Sequence, residues 1–164
     1  MRSAKIFILQ IIAILLFGIA FGYIEAAVVA YLRQIYFSEG FNIPFYPYLL
    51  YIGSSVNIPL YLSLNHYLIE ILREAATMLV LVTFSYLAGK RFLERFAVFL
   101  FTFAIWDNCY YIFLFLIIRW PTSLLTMDIL FLIPVPWIAP VIVPITASLI
   151  MIATSVYIAK LLYC

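Results

Sequence analysis

The chain has 164 residues, of which 68% are hydrophobic and 10% are Asp, Glu, Lys or Arg, with a formal net charge of +2. A water-soluble domain carries about 25% charged residues, so this composition, with a mean hydropathy of +1.20, indicates an all-α integral membrane protein instead. The small net charge excludes nucleic acid as a partner, and the lipid bilayer takes its place.

The first predicted helix covers about residues 6–32. Arg2 and Lys5 precede its apolar run, as in a secretory leader, but the run continues past Glu25 through Ala26-Ala27-Val28-Val29-Ala30 with no small-x-small cleavage site at its end. An uncleaved transmembrane helix is the expectation. Gly18, Gly22, Ala26 and Ala30 recur every fourth residue and form a seam that another helix can approach closely. That contact lies within the bundle or joins copies into a homo-oligomer or larger membrane complex.

Residues 41–65 are punctuated by Pro44, Pro47, Gly53 and Pro59 and read as an interfacial connection. The second predicted helix covers 66–88. Its opening stretch HYLIEILREAAT places His66, Glu70, Arg73, Glu74 and Thr77 at spacings of three and four, on one face. After the basic turn Gly89–Arg95, a third helix is predicted over 96–118, ended by Arg119-Trp120-Pro121. It carries Asp107, Asn108 and Tyr111.

Residues 123–133 would cover about 16 Å as a helix, roughly half the hydrocarbon core. They read as a short re-entrant or interfacial helix before the proline-rich break at 134–144, where Pro140 or Pro144 can occupy the first turn of a last helix over 138–162. The fold class is therefore a bundle of four to five transmembrane helices in a single domain. Arg2, Lys5, Lys90, Arg91 and Arg95 fall on one side, which places the N-terminus in the cytoplasm of a multi-pass cell-membrane protein. With four spans Lys160 joins them and the C-terminus is cytoplasmic; with five it is outside.

Counting about 1.5 Å per helical residue, Glu25, Glu70 and Glu74 lie toward the outer end and Asp107 near the midplane. Asp128 falls close to the outer side. A charge facing lipid costs roughly 2.5–3.5 kcal/mol, so these acids are expected to face inward around Arg73. The candidate binding cluster is Glu25, Glu70, Arg73, Glu74 and Asp107, with Asn108 and Tyr111 beside it. Arg73 cannot neutralise Glu25, Glu70, Glu74 and Asp107 together, which leaves a carboxyl protonated, or bound to a cation or a donor-rich ligand.

His66 with Glu70 and Glu74 has a spacing that could seat a metal, but the paired ExxH of a di-metal carboxylate site is missing, so no metal site is assigned. Cys109 and Cys164 lie at different depths and form no expected disulfide. No phosphate loop, dinucleotide fingerprint, HExxH or nucleophile elbow occurs, and no cofactor is indicated. The expected role is binding, passage of an ion or solute, or service as a subunit of a membrane complex. The alternative is a membrane-embedded enzyme acting on a lipid-like substrate through paired carboxylates.

Overall fold

The computed structural model describes residues 2–36, 64–133 and 136–163. The predicted connection over 41–65 lies almost wholly outside them, as does the side chain of His66. The elements in chain order are α1 (Arg2–Tyr36), α2 (Leu64–Ala88), α3 (Phe92–Ile118), β1 (Met127–Phe131), β2 (Trp137–Pro140) and α4 (Ile142–Tyr163). The chain is thus mostly helical, and α1, α3 and α4 are each long and apolar enough to cross a membrane.

The helix ends follow from local chemistry. Helix α3 begins four residues before the predicted start because Glu94 accepts the backbone N–H groups of Lys90 and Arg91 at 2.9 and 3.3 Å, satisfying donors that a first turn leaves open. It ends at Arg119, whose left-handed backbone (φ 57°) turns its N–H onto the Phe115 carbonyl at 2.9 Å. Helix α4 begins at Ile142 rather than 138, with Pro144 in its first turn, where an absent N–H leaves no bond unmade.

Helices α1 and α3 run parallel and in close contact along the small-residue seam. A Cβ on Gly22 would stand 2.7 Å from the Trp106 carbonyl oxygen and 2.8 Å from Cys109 Cβ; one on Gly18 would stand 2.8 Å from Ile105 Cγ2. Ala26 and Ala30 continue the seam into a core with Tyr111, Leu114, Trp120 and Val141. The seam is therefore filled by α3 of the same chain.

Helix α2 runs antiparallel to α1. Gln10 Nε2 donates to the Ala88 carbonyl at 2.7 Å, and Phe17 stacks on Phe84 with ring centroids 3.9 Å apart. Helix α4 runs antiparallel to α3, with Ser155 donating to the Ala97 carbonyl at 2.8 Å. The start of α1, the end of α2, the start of α3 and the end of α4 thus gather at one end. The outward faces stay apolar: Leu72, Leu79, Ile150 and Leu161 are each about two-thirds exposed.

The expected short helix over 123–133 is corrected. Residues 127–131 form a strand, paired antiparallel with β2 in the register Met127–Pro140, Asp128–Ala139, Ile129–Ile138 and Phe131–Trp137. Pro134 and Pro136 bar a helix from continuing past Ile133, and the apolar MDILF finds a partner in WIAP across that break. Pro140, which has no N–H to give a ladder, closes β2 at its end. The base of the hairpin is fastened to the start of α4 by Val141 N–H to the Thr126 carbonyl at 3.0 Å and Ile142 N–H to the Leu124 carbonyl at 2.8 Å.

The hairpin runs alongside α3. Asp128 meets Tyr111 of α3 at 3.1 Å, whereas Phe131 stacks toward Phe103 of the same helix, two turns nearer its start, with centroids 6.4 Å apart. The strand therefore descends along α3 from the end where the chain enters it.

Candidate functional site

Arg73 sits at the centre of the first polar group. Its Nη1 donates to Glu25 of α1, and its Nε donates to Glu70 one turn earlier on α2, at 2.8 Å. Thr77 contributes a longer bond to the other Glu25 oxygen, at 3.4 Å. The spacing of Glu70, Arg73 and Thr77 places all three on the α2 face toward α1, so one guanidinium spans a pair of carboxylates from two helices. The side chains of Arg73, Glu25 and Glu70 are 23%, 13% and 15% exposed, sheltered enough that the pairing is only weakly screened.

Glu74 turns to a different partner. It is buried, and its carboxylate accepts the Leu132 backbone N–H at 2.8 Å. Leu132 follows the last residue of β1, so its N–H has no strand to pair with. A carboxylate in the helix thus accepts a half-buried backbone donor at the end of the strand.

The second group was not legible as a unit in the sequence. Arg33, near the end of α1, pairs with Asp128 of β1 at 3.0 Å, and both side chains are buried. Tyr111 donates to the other Asp128 oxygen, and the Arg33 guanidinium lies 3.6 Å from the Trp120 ring centroid. Burial pushes the Asp128 carboxyl above its ordinary range, while the Arg33 charge and the Tyr111 hydrogen bond pull it back down.

Asp107 belongs to neither group. Its carboxylate accepts the hydroxyl of Ser148 on α4 at 2.7 Å, and both residues are buried. The expected placement of Asp107 against Arg73 is therefore replaced by an α3–α4 contact, because this side of α3 turns toward α4. Asn108 bonds back to the Ala104 carbonyl of its own helix at 2.8 Å. Tyr110 packs edge-on against Tyr111, with ring centroids 4.8 Å apart.

Of the seven residues singled out in the sequence, Glu25, Glu70 and Arg73 are brought into direct contact, and Glu74 lies beside them with its own partner. Tyr111, Asp107 and Asn108 are bound elsewhere. The residues missed are Arg33, Ser148 and the Leu132 backbone; the sequence places Thr77 on the polar face of α2 and Asp128 among the acids without assigning either to the cluster. Arg33 and Asp128 did carry a signal, since counting along the helices puts both toward the outer end. Taken together, Glu25, Glu70, Glu74, Asp107 and Asp128 supply five carboxyl groups against the guanidiniums of Arg33 and Arg73. Among the described residues no three His, Cys, Asp or Glu side chains converge as metal ligands.

No family model, curated protein or solved structure matches the chain.

Proposed function

We propose that the protein is a multi-pass membrane protein whose four helices cross the cell membrane. Both termini are cytoplasmic, and the Arg73 group serves as a binding site reached from the outer face. The site takes a cation or a donor-rich solute, in the service of ion or solute passage or as a subunit of a larger membrane complex.

Several features support this reading. Lys90, Arg91, Arg95 and Lys160 belong to the end where α2 finishes, α3 begins and α4 finishes, as the bias of cationic residues toward the cytoplasm requires. The hairpin then enters from the opposite side. Non-helical backbone at membrane depth is tolerated where protein buries it or where it lines a polar cavity, and broken elements of this kind line the sites of transporters. Glu25 and Glu70 are engaged by Arg73, and Glu74 by the hairpin backbone. That arrangement suits holding charge in place better than exchanging protons with a lipid-like substrate.

The observation that carries the reading is the imbalance around Arg73. One guanidinium faces Glu25 and Glu70 directly, with Glu74 one residue away, inside an otherwise apolar bundle. The surplus negative charge is what a cation or a donor-rich solute would neutralise.

The test is a thermal-stability titration of the protein in nanodiscs with monovalent, divalent and alkylammonium cations and with neutral polyols. Binding to the folded state at about 100 times its dissociation constant stabilises by roughly 2.7 kcal/mol. One class is expected to raise Tm in wild type and not in a Glu25→Gln/Glu70→Gln variant. No shift with any class, or equal shifts in both proteins, would contradict the reading.

A further inference from the structure

The turn between α2 and α3 carries Lys90 and Arg91, and its own contacts fix its shape. Glu94 accepts the backbone N–H groups of both residues, at 2.9 and 3.3 Å, so its carboxylate is turned onto the main chain. Gly89 packs so closely on the start of α3 that a Cβ there would stand 2.6 Å from the Arg95 nitrogen. The Arg95 side chain folds back into the turn. Its Nε donates to the Gly89 carbonyl at 3.1 Å, and its guanidinium lies 3.8 Å from the Tyr86 ring centroid. Lys90 and Arg91 are left with exposed side chains on a fixed backbone.

Apolar surface adjoins these two cations. Phe92, the next residue, is 78% exposed, and its ring stacks near-parallel to that of Phe96, one turn further along α3, with centroids 6.3 Å apart. Leu87, in the last turn of α2, is equally open. A phospholipid of net negative charge matches both halves of this surface. Its phosphate suits an ammonium and a guanidinium, and an acyl chain suits the stacked rings.

We propose that this turn is a binding site for an anionic phospholipid. The headgroup phosphate lies between Lys90 and Arg91, and one acyl chain runs along Phe92 and Phe96. A zwitterionic lipid fills the apolar part equally well but brings a cation of its own to the same two charges. Each Lys or Arg beside an anionic leaflet contributes about 1 kcal/mol, or about fivefold, so the pair sets a preference on the order of twentyfold. Ala88, where α2 ends, lies roughly 22 Å along the helix from Arg73. The lipid site is therefore separate from the Arg73 group, and neither reading depends on the other.

The experiment is native mass spectrometry of the full chain in detergent, titrated with equal amounts of phosphatidylglycerol and phosphatidylcholine of one chain length. Wild type is expected to retain phosphatidylglycerol in preference, on the order of twentyfold, and Lys90→Gln/Arg91→Gln to lower that ratio to about threefold or less. Lys90→Arg/Arg91→Lys is expected to keep it. Phe92→Ala is expected to weaken retention of both lipids and leave their ratio unchanged. Lys160→Gln removes another exposed cation from the same end of the bundle and is expected to leave the ratio in place.

An absence of preference in wild type, or a ratio that survives loss of both cations, would overturn the proposal. So would an equal fall in Lys160→Gln, which would mean that the lipid reads only the net charge of this end. Glycerol 3-phosphate, a headgroup without chains, is expected not to displace the lipid. Displacement would make this a site for a soluble phosphate ester and would overturn the lipid assignment.

Discussion

Arg33 and Asp128, 95 residues apart in the chain, form a buried ion pair at 3.0 Å that ties the C-terminal part of α1 to the hairpin. Removing one partner of such a pair leaves a charge stranded in an apolar interior and costs about 3–5 kcal/mol. Arg33→Met is therefore expected to be strongly destabilising. Arg33→Met combined with Asp128→Leu, which removes both charges, is expected to recover part of the loss. The Arg33→Met variant should also gain stability in acid. Burial already raises the Asp128 carboxyl and Arg33 opposes that rise, so without Arg33 the folded-state value climbs further above the unfolded one. A folded state that binds its proton more tightly is most stable below the unfolded value and loses stability as pH rises toward the folded value. Chemical denaturation in detergent across pH reads both effects.

Gly22 and Gly18 are expected to differ in what they tolerate. A methyl group on Gly22 meets backbone atoms of Trp106 and Tyr110, which cannot move without shifting α3, whereas on Gly18 it meets the Ile105 side chain first. Overpacking of a close contact costs typically about 1–3 kcal/mol. Gly22→Ala should cost more than Gly18→Ala, and Gly22→Leu should abolish monodisperse protein. Size-exclusion yield and Tm of the three variants check the order.

Ser148 is expected to matter through Asp107 alone. Ser148→Ala strands a buried carboxyl and is expected to cost about 1–3 kcal/mol, whereas Asp107→Leu/Ser148→Ala removes both polar partners and is expected to cost less. A double variant no more stable than Ser148→Ala in thermal unfolding would show that Asp107 has other polar work in the fold.

The helical part of this architecture was largely legible because the apolar runs are long and their polar residues follow a 3.6-residue period. The meeting of Arg73 with Glu25 and Glu70 followed from two readable quantities, the shared face on α2 and the overlapping heights of α1 and α2. The hairpin was not readable in the same way. Five apolar residues, MDILF, fit a buried strand or a piece of helix equally, and the choice was made by WIAP on the far side of two prolines. The partner of Glu74 is a backbone N–H, which a sequence never displays. The partner of Asp107 depended on how α3 is rotated against α4, and Ser148 is one of four Ser and Thr hydroxyls along the apolar α4, with Thr146, Thr154 and Ser155, so nothing singles it out.

The central claim is that Arg73 is the counter-charge of a sheltered carboxylate pair contributed by two helices. The most direct measurement is thermal stability in detergent, across pH, of wild type, Arg73→Ala and Arg73→Ala/Glu25→Gln/Glu70→Gln. The triple variant neutralises the two acids that Arg73 holds and leaves Glu74 to the hairpin. With Arg73 gone, Glu25 and Glu70 repel each other in a poorly hydrated place, so Arg73→Ala should lose about 3–5 kcal/mol at neutral pH. It should regain part of that loss in acid as the carboxylates protonate, and the triple variant should be more stable than Arg73→Ala at neutral pH with a flatter pH profile. A loss of about 1 kcal/mol or less at every pH, the size seen for solvent-exposed pairs, with no rescue in the triple variant, would contradict the account.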